Sequence, residues 1–414
     1  MGAAPAIDAA RVIAELRELA ARTADDRGAQ RLCWSPVWRQ ARAYLGELLA
    51  ELALQPEVDE AGNLWARLEG ADPGAGAVVV GSHVDSVPDG GWLDGALGVF
   101  AAIGALRAWA GAGESPPRPL VLVDWADEEG ARFGRSLFGS SAFAGTLGPA
   151  ELTDLRDTEG RSIAEVLGEN GVELGRAAEC GRRREGLGAY LELHIEQGPR
   201  MEREGLRAAA VTGCAGVERL RFVFAGQASH AGTTPMDARR DAGLAAAEAA
   251  LEIERIPAAE GGVATTGELR LEPGIPTAVA GRATLTVDLR HPEAEPLERM
   301  LESARSAARS AAERRGCGLK QVPVWRIEPI PFDTGLVFAA REACAEVAGK
   351  PASMASGALH DAAEVARVLP AVMLFAPSKA GISHAPEEDT DEADLAVAIG
   401  AFGELVGRAI ERGE

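Results

Sequence analysis

The chain is poor in cysteine, and the few it has form no pattern. Its five cysteines, Cys33, Cys180, Cys214, Cys317 and Cys344, are scattered, odd in number and never spaced as CxxC. That excludes a disulfide framework and a thiolate zinc knot, and leaves a reducing cytoplasm as the simplest compartment. Long uncharged apolar runs are also missing, so no segment is expected to span a bilayer. The N-terminal stretch MGAAPAIDAARVIAELREL intersperses Asp8, Arg11, Glu15, Arg17 and Glu18 with its apolar residues, and reads as an amphipathic helix rather than a signal peptide. Basic charge is in deficit as well. With 42 basic against 63 acidic residues the formal net charge is -21, a surface that repels phosphate backbones and anionic lipid. Neither nucleic acid nor membrane is an expected partner.

What is present suits a folded enzyme. The 414 residues are 47% hydrophobic, enough for a large core, and the length predicts two or three domains. Strand-like and helical runs alternate in AVVVGSH (77–83), GALGVFAAIGALRAWA (95–110) and PLVLVDWADEEG (119–130). YLELHIEQG (190–198) and AVMLFAPSKAGISH (371–384) continue in the same style. This rhythm predicts an α/β domain built on a mostly parallel sheet. Between them the rhythm changes to strand 218–225, helix 239–256, strands 265–272 and 282–290, helix 294–315 and strand 318–327, the βαββαβ order of a ferredoxin-like sandwich. It reads as an inserted domain over 207–323, with hinges near Arg207 and Pro323. Residues 1–206 and 324–414 would close into one catalytic domain.

Only six histidines occur: His83, His194, His230, His291, His360 and His384. Three of them, together with the cluster Asp127, Glu128, Glu129, follow or end apolar strands, and in open α/β sheets ligands bind beyond the carboxyl ends of the strands. A lone histidine or an acidic run is usually a satisfied polar group or a solvated turn. Their joint placement instead predicts a metal site of imidazoles and carboxylates suited to zinc, manganese or cobalt. Asp85 is spaced to accept the proton of the His83 ring nitrogen not used for metal. Asp94, among Gly90, Gly91 and Gly95, can approach His83, although on the residues alone an N-cap for the following helix is the preferred reading, and both can hold at once.

GSHVDSVPDGGWLDGALGV, DEEGARF, LELHIEQGP, SHAGTTPM, DLRH, SGALHDA and PSKAGISHAPEE resemble, in this order, the motifs of the hydantoinase/carbamoylase family of amidases, which is related to aminoacylase-type metallopeptidases. The resemblance runs from about Ser35 to Glu388. It implies two divalent ions, one held by His83, Asp94 and His194 and the other by Asp94, Glu129 and His384, with Glu128 as general base. It also implies a homodimer through the inserted domain, in which His230 reaches into the partner's site to steady an oxyanion while Arg290 holds a substrate carboxylate. His194, where the peptidase relatives place a carboxylate, is similar to the carbamoylase branch. The expected reaction is cleavage of an N-carbamoyl-L-amino acid to amino acid, carbon dioxide and ammonia. Alternatives are an allantoate amidohydrolase, an aminoacylase or dipeptidase, or a metal-binding relative without turnover. Gln197 and His360 are further candidates for substrate contact. Thr277 stands where many relatives carry asparagine, Glu218 where allantoate-specific ones tend to a neutral amide, and Ala380 where glycine is usual. The first two bear on substrate choice and none on the metal ligands.

Overall fold

Residues 77–83 and 120–125 are apolar at nearly every position, as strands covered on both faces must be, and every residue in both is buried. They form the centre of a computed structural model that describes residues 4–411. The main elements of the first part are α1 (Ala9–Thr23), α2 (Pro36–Ala50), β1 (Glu57–Val58), β2 (Leu64–Leu68), β3 (Ala77–His83), α3 (Ala96–Ala110), β4 (Leu120–Trp125), α4 (Phe138–Ala144), β5 (Leu187–Ile195) and β6 (Ala209–Cys214). Next come β7 (Gly216–Ala225), α5 (Ala242–Glu254), β8 (Val263–Glu272), β9 (Arg282–His291), α6 (Ala294–Arg314) and β10 (Gly318–Ile327). The last stretch is β11 (Ile330–Pro331), α7 (Thr334–Ala348), β12 (Ser353–Ser356), α8 (Asp361–Val365), β13 (Ala371–Ala376) and α9 (Glu392–Glu411).

Two compact units result. One holds the described residues up to Thr212 and from Phe332 onward, the other Gly213–Pro331. Their joints in the chain lie a few residues beyond those expected at Arg207 and Pro323. Arg207 is tied into the first unit by its guanidinium, which donates to Asp394 at 2.6 Å. Pro323 falls inside β10, where a register shift follows it and an edge strand tolerates the missing N–H.

The large sheet has the order β11-β6-β13-β5-β3-β4-β2-β1, with β12 beside β6. Its four central strands, β13, β5, β3 and β4, are parallel, whereas β6, β11, β2 and β1 pair antiparallel. The sheet is therefore mixed, not mostly parallel. Parallel neighbours need a long crossover, and β1 and β2 are joined only by the turn at 59–63. α2 starts on Ser35, whose hydroxyl accepts from the Trp38 N–H, with Pro36 in the first turn. α3 is buried along its first eleven residues, which accounts for its lack of a polar stripe.

The second unit is a four-stranded antiparallel sheet of order β8-β9-β7-β10. Alternate residues of β7 and β9, including Leu220, Phe222, Phe224, Leu285, Val287 and Leu289, pack with Ala245, Ala249, Leu297, Met300 and Leu301 of α5 and α6. The βαββαβ order expected from the sequence is the one observed.

Candidate metal centre and active site

Because β3, β4, β5 and β13 run parallel, their carboxyl ends share one edge of the sheet. His83 is the last residue of β3, His194 the penultimate residue of β5, and Asp127–Glu129 follow β4 directly. His384 arrives on the loop after β13. Asp94 lies on the turn before α3, whose N-cap position is Gly95 and has no side-chain cap bond. The Asp94 carboxylate is thus not spent on capping.

These side chains converge. Asp94 Oδ1 is 3.2 Å from His194 Nε2 and 3.9 Å from His83 Nε2, and its Oδ2 is 3.1 Å from His384 Nε2. Glu129 Oε2 lies 3.5 Å from His384 Nε2, and Glu128 Oε2 lies 3.7 Å from His83 Nε2. Two donor sets result, His83/Asp94/His194 and Asp94/Glu129/His384, each with its ligand atoms within 4.8 Å of one another. Asp94 belongs to both. His83 Nδ1 is 3.1 Å from the Asp85 carbonyl and His194 Nδ1 is 2.9 Å from the Ile195 carbonyl, which places those protons on Nδ1 and leaves both Nε2 lone pairs for a cation. The partner of His83 is therefore the backbone of Asp85, not its carboxylate, which sits 3.6 Å away and accepts from the N–H groups of Glu128 and Glu129.

The electrostatics describe a cage short of positive charge. Burial, then the charge of Asp94, pushes Glu129 up to about 7. Burial holds Glu128 well above the carboxylate range, with His83 opposing it. His384 is raised to about 9, mainly by its hydrogen bond to Asp94. Burial would lift Asp94 too, but the imidazoles of His194 and His384 beside it keep it well below its ordinary value. His194 Nε2 and Glu129 Oε1 are buried without a hydrogen-bond partner. Orphaned donors of this kind inside crowded carboxylates fit divalent cations. Two other clusters of ligand type, Glu192/His194/His360 and Cys33/Asp85/Asp127, fit less well. The Glu192 oxygens already accept from Ser82, Tyr190 and the Ala362 N–H, and those of Asp85 are engaged as described.

Gln197, with a positive φ of 58°, donates to Asp94 Oδ2 at 2.9 Å and lies 3.3 Å from His384 Nε2. His360 is buried against the His194 ring at 4.4 Å between centroids, with Nε2 3.0 Å from Ser356 Oγ. Burial, then the neighbouring His194, keeps it well below its ordinary range, hence neutral. It packs behind a ligand. The remaining predicted residues lie in the second unit. His230 is exposed, and its Nδ1 accepts from the N–H groups of Gly232 and Thr233 at 3.0 and 3.2 Å, so its proton sits on Nε2. Thr277 is exposed. Arg290 donates to Asp288 at 2.8 Å. Glu218 faces Leu289 across β7 and β9 and pairs with Arg326 at 3.1 Å. Because successive side chains alternate across a strand, Glu218 and Arg290, whose strand partner is Val217, lie on opposite faces of this sheet.

Sequence reasoning missed three participants. Glu388 hydrogen-bonds the turn that carries Asp94. The Ser383 hydroxyl lies 3.0 Å from Asp94 Oδ2. Arg31, fully buried, donates to Val84 O at 2.7 Å. Glu388 and Ser383 stand within four residues of His384, a signal that was available; Arg31 sends none.

Paired imidazole–carboxylate donor sets beside a glutamate, on the carboxyl edge of an α/β sheet, define a hydrolase active site. The profile of Peptidase family M20/M25/M40 matches residues 79–408, and the chain belongs to that family, on its hydantoinase/carbamoylase amidase side. It is 37% identical over 389 residues to the N-carbamoyl-L-amino-acid amidohydrolase of Paenarthrobacter aurescens, covering 94% of each chain. To the allantoate amidohydrolase of Bacillus subtilis (strain 168) it is 32% identical over 385 residues, covering 92% of each. The crystal structure of an amidase of the hydantoinase/carbamoylase family from Burkholderia multivorans superposes with a TM-score of 0.90 at 33% identity, covering 99% of this chain and 100% of that one. The protein is a hydrolase of linear amide C–N bonds. Among the described residues no helix is long and apolar enough to cross a membrane.

Proposed function

We propose that the protein is a cytoplasmic, dinuclear-metal amidohydrolase that converts an N-carbamoyl-L-amino acid to the amino acid, carbon dioxide and ammonia. The observation that carries this reading is one carboxylate, Asp94, shared by two donor sets, with Glu128 beside them. His83, Asp94 and His194 would hold one ion, and Asp94, Glu129 and His384 the other. Zinc is the ion we favour for this imidazole-rich set, and manganese or cobalt use the same ligands. Such ions supply Lewis acidity for an unreactive ureido carbonyl and acidify water. Glu128 takes the proton of the attacking water and returns it to the leaving nitrogen. His230, with its proton on Nε2, is built to donate to an oxyanion, and Arg290 offers a planar fork for the substrate carboxylate.

We also infer a homodimer formed through the second unit. β8 is an edge strand of its sheet, and Val263, Leu269 and Leu271 on it, with Leu244, Leu251 and Ile275 nearby in sequence, are exposed. An uncovered apolar edge of this kind supports pairing with a second copy. The burial of Glu218 against Arg326 leaves Arg290 and Thr277 as the substrate contacts we assign in this unit.

The deciding experiment measures ammonia release from N-carbamoyl-L-amino acids, allantoate and N-acetyl amino acids with zinc, manganese or cobalt added. Turnover of carbamoyl compounds is the expected result. Turnover of allantoate alone would transfer the function to the second relative reported above, and turnover of acetyl compounds alone would reject the ureido reading.

A further inference from the structure

We propose that Glu388 is a positioning residue that locks the bridging carboxylate of Asp94 in place and couples it to His384. The inference rests on the reading of Asp94 as the ligand common to both ions. Glu388 is buried, with 2% exposure. Its Oε1 accepts from the backbone N–H groups of Leu93 and Asp94, both at 3.0 Å. The Ser383 hydroxyl lies 2.8 Å from its Oε2 and 3.0 Å from Asp94 Oδ2, so that its single proton is shared between the two carboxylates. One carboxylate thus fixes the main chain of the bridging ligand and, through Ser383, the rotation of its carboxyl group.

The neighbourhood is shaped to admit this side chain. A Cβ at position 91 would overlap the Glu388 carboxyl group, so glycine is required there for the carboxylate to reach the turn. Arg31, fully buried and donating toward Gly91 O at 3.4 Å, finds in Glu388 its strongest electrostatic partner. Glu388 also closes the turn that begins after His384, its N–H donating to Ala385 O at 3.1 Å. Two ligands nearly three hundred residues apart are therefore held by one short segment. Buried carboxylates that accept backbone N–H groups orient what they bind, and loss of such outer partners typically lowers metal affinity or activity ~10–100-fold.

The test compares the parent chain with Glu388→Ala, Glu388→Gln, Gly91→Ala and Asp94→Ala. Metal affinity and stoichiometry are read by equilibrium dialysis against zinc and manganese, alongside kcat and KM. Glu388→Ala should weaken metal binding ~10–100-fold and lower kcat more than it raises KM. Glu388→Gln keeps an oxygen for the two N–H groups and should recover most of the affinity. Gly91→Ala, which displaces the carboxylate without removing it, should follow Glu388→Ala, and decides the matter if that variant does not fold. Affinity within twofold of the parent in a folded Glu388→Ala or in Gly91→Ala would overturn the inference, as would Glu388→Gln behaving like alanine. If the parent binds no divalent ion, or Asp94→Ala keeps both, the site reading itself fails. If Asp94→Ala loses metal while Glu388→Ala does not, only the role of Glu388 falls.

Discussion

Gly95→Ala should damage the site without removing any ligand. Gly95 has φ 64° and ψ -47°, a conformation that costs a residue with a side chain on the order of 1–3 kcal/mol. A Cβ there would come within 3.0 Å of Nδ1, Cε1 and Nε2 of His83. That ring is only 1% exposed and is tied by Nδ1 to Asp85 O, so overpacking adds about 1–3 kcal/mol. Together the strain amounts to roughly 2–6 kcal/mol. The metal-free protein can lose that much stability, or the His83 ring and the adjoining Asp94 can shift to relieve it. In the second case metal affinity falls about tenfold for each 1.4 kcal/mol so relieved. Urea unfolding of the metal-free variant and metal content after dialysis read the two channels separately. Gly113→Ala is the control, because Gly113 has φ 82° with nothing near its would-be Cβ. It should cost about 1 kcal/mol of stability and leave metal binding alone. A Gly95→Ala protein that matches the parent in both measurements would refute the packing of His83 described above.

Three further outcomes are expected. Glu128→Gln should lower kcat by ~10²–10⁴-fold while metal content is retained, and parental turnover would remove Glu128 as the base. In the metal-free protein, Asp127 is raised to about 8, chiefly by burial, and Glu129 to about 7. The folded chain therefore keeps protons that the unfolded chain has lost, and stability falls as pH rises through that window. His384, raised to about 9, stabilises below its ordinary value and loses that contribution as pH rises through 9, which is the same sign. Denaturant midpoints of metal-free protein should thus drop from pH 5 to 9. Added metal should flatten or reverse the slope, since ligands bind deprotonated, and a midpoint that climbs with pH without metal would contradict the charge arrangement. Finally, mixing His230→Ala with Glu128→Gln should restore activity through mixed dimers, and no recovery despite demonstrated subunit exchange would argue against a shared site.

Several of the candidate ligands were legible because strand ends announce them. A run such as AVVVGSH must be a buried strand, and parallel neighbours put their last residues on one edge, so His83, His194 and Glu129 could be brought together from sequence. What was not legible depends on partners distant in the chain. The direction of β2 and β6 follows from the path by which each joins the sheet, so a mixed sheet read as a parallel one. Glu218 looked like a substrate contact until the register of β7 against β9 put it on the face away from Arg290 and beside Arg326. Asp85 stood at the right spacing, but the turn after β3 presents its carbonyl to His83 and its carboxylate to the N–H groups of Glu128 and Glu129. Ala380, standing where the resemblance implies glycine, has φ 55°, a backbone that glycine would adopt with less strain.

The energetics of the cage bear on its purpose. Asp85, Asp94, Glu128 and Glu388 are all buried around the site, and Arg31 is the fully buried guanidinium set among several of them. Like charges taken out of water together cost stability, and replacing them with well-packed apolar side chains would ordinarily be neutral or favourable. A fold selected for stability alone would not collect them at the end of its central strands. Protonated histidines relieve only part of the excess. Arg31 brings one positive charge to several carboxylates and relieves only a further part. Cations of higher charge bound at the two donor sets, where His194 Nε2 and Glu129 Oε1 are buried without hydrogen-bond partners, would satisfy the donors and the charge at once. The arrangement is coherent as a metal-loaded hydrolytic centre and expensive as anything else.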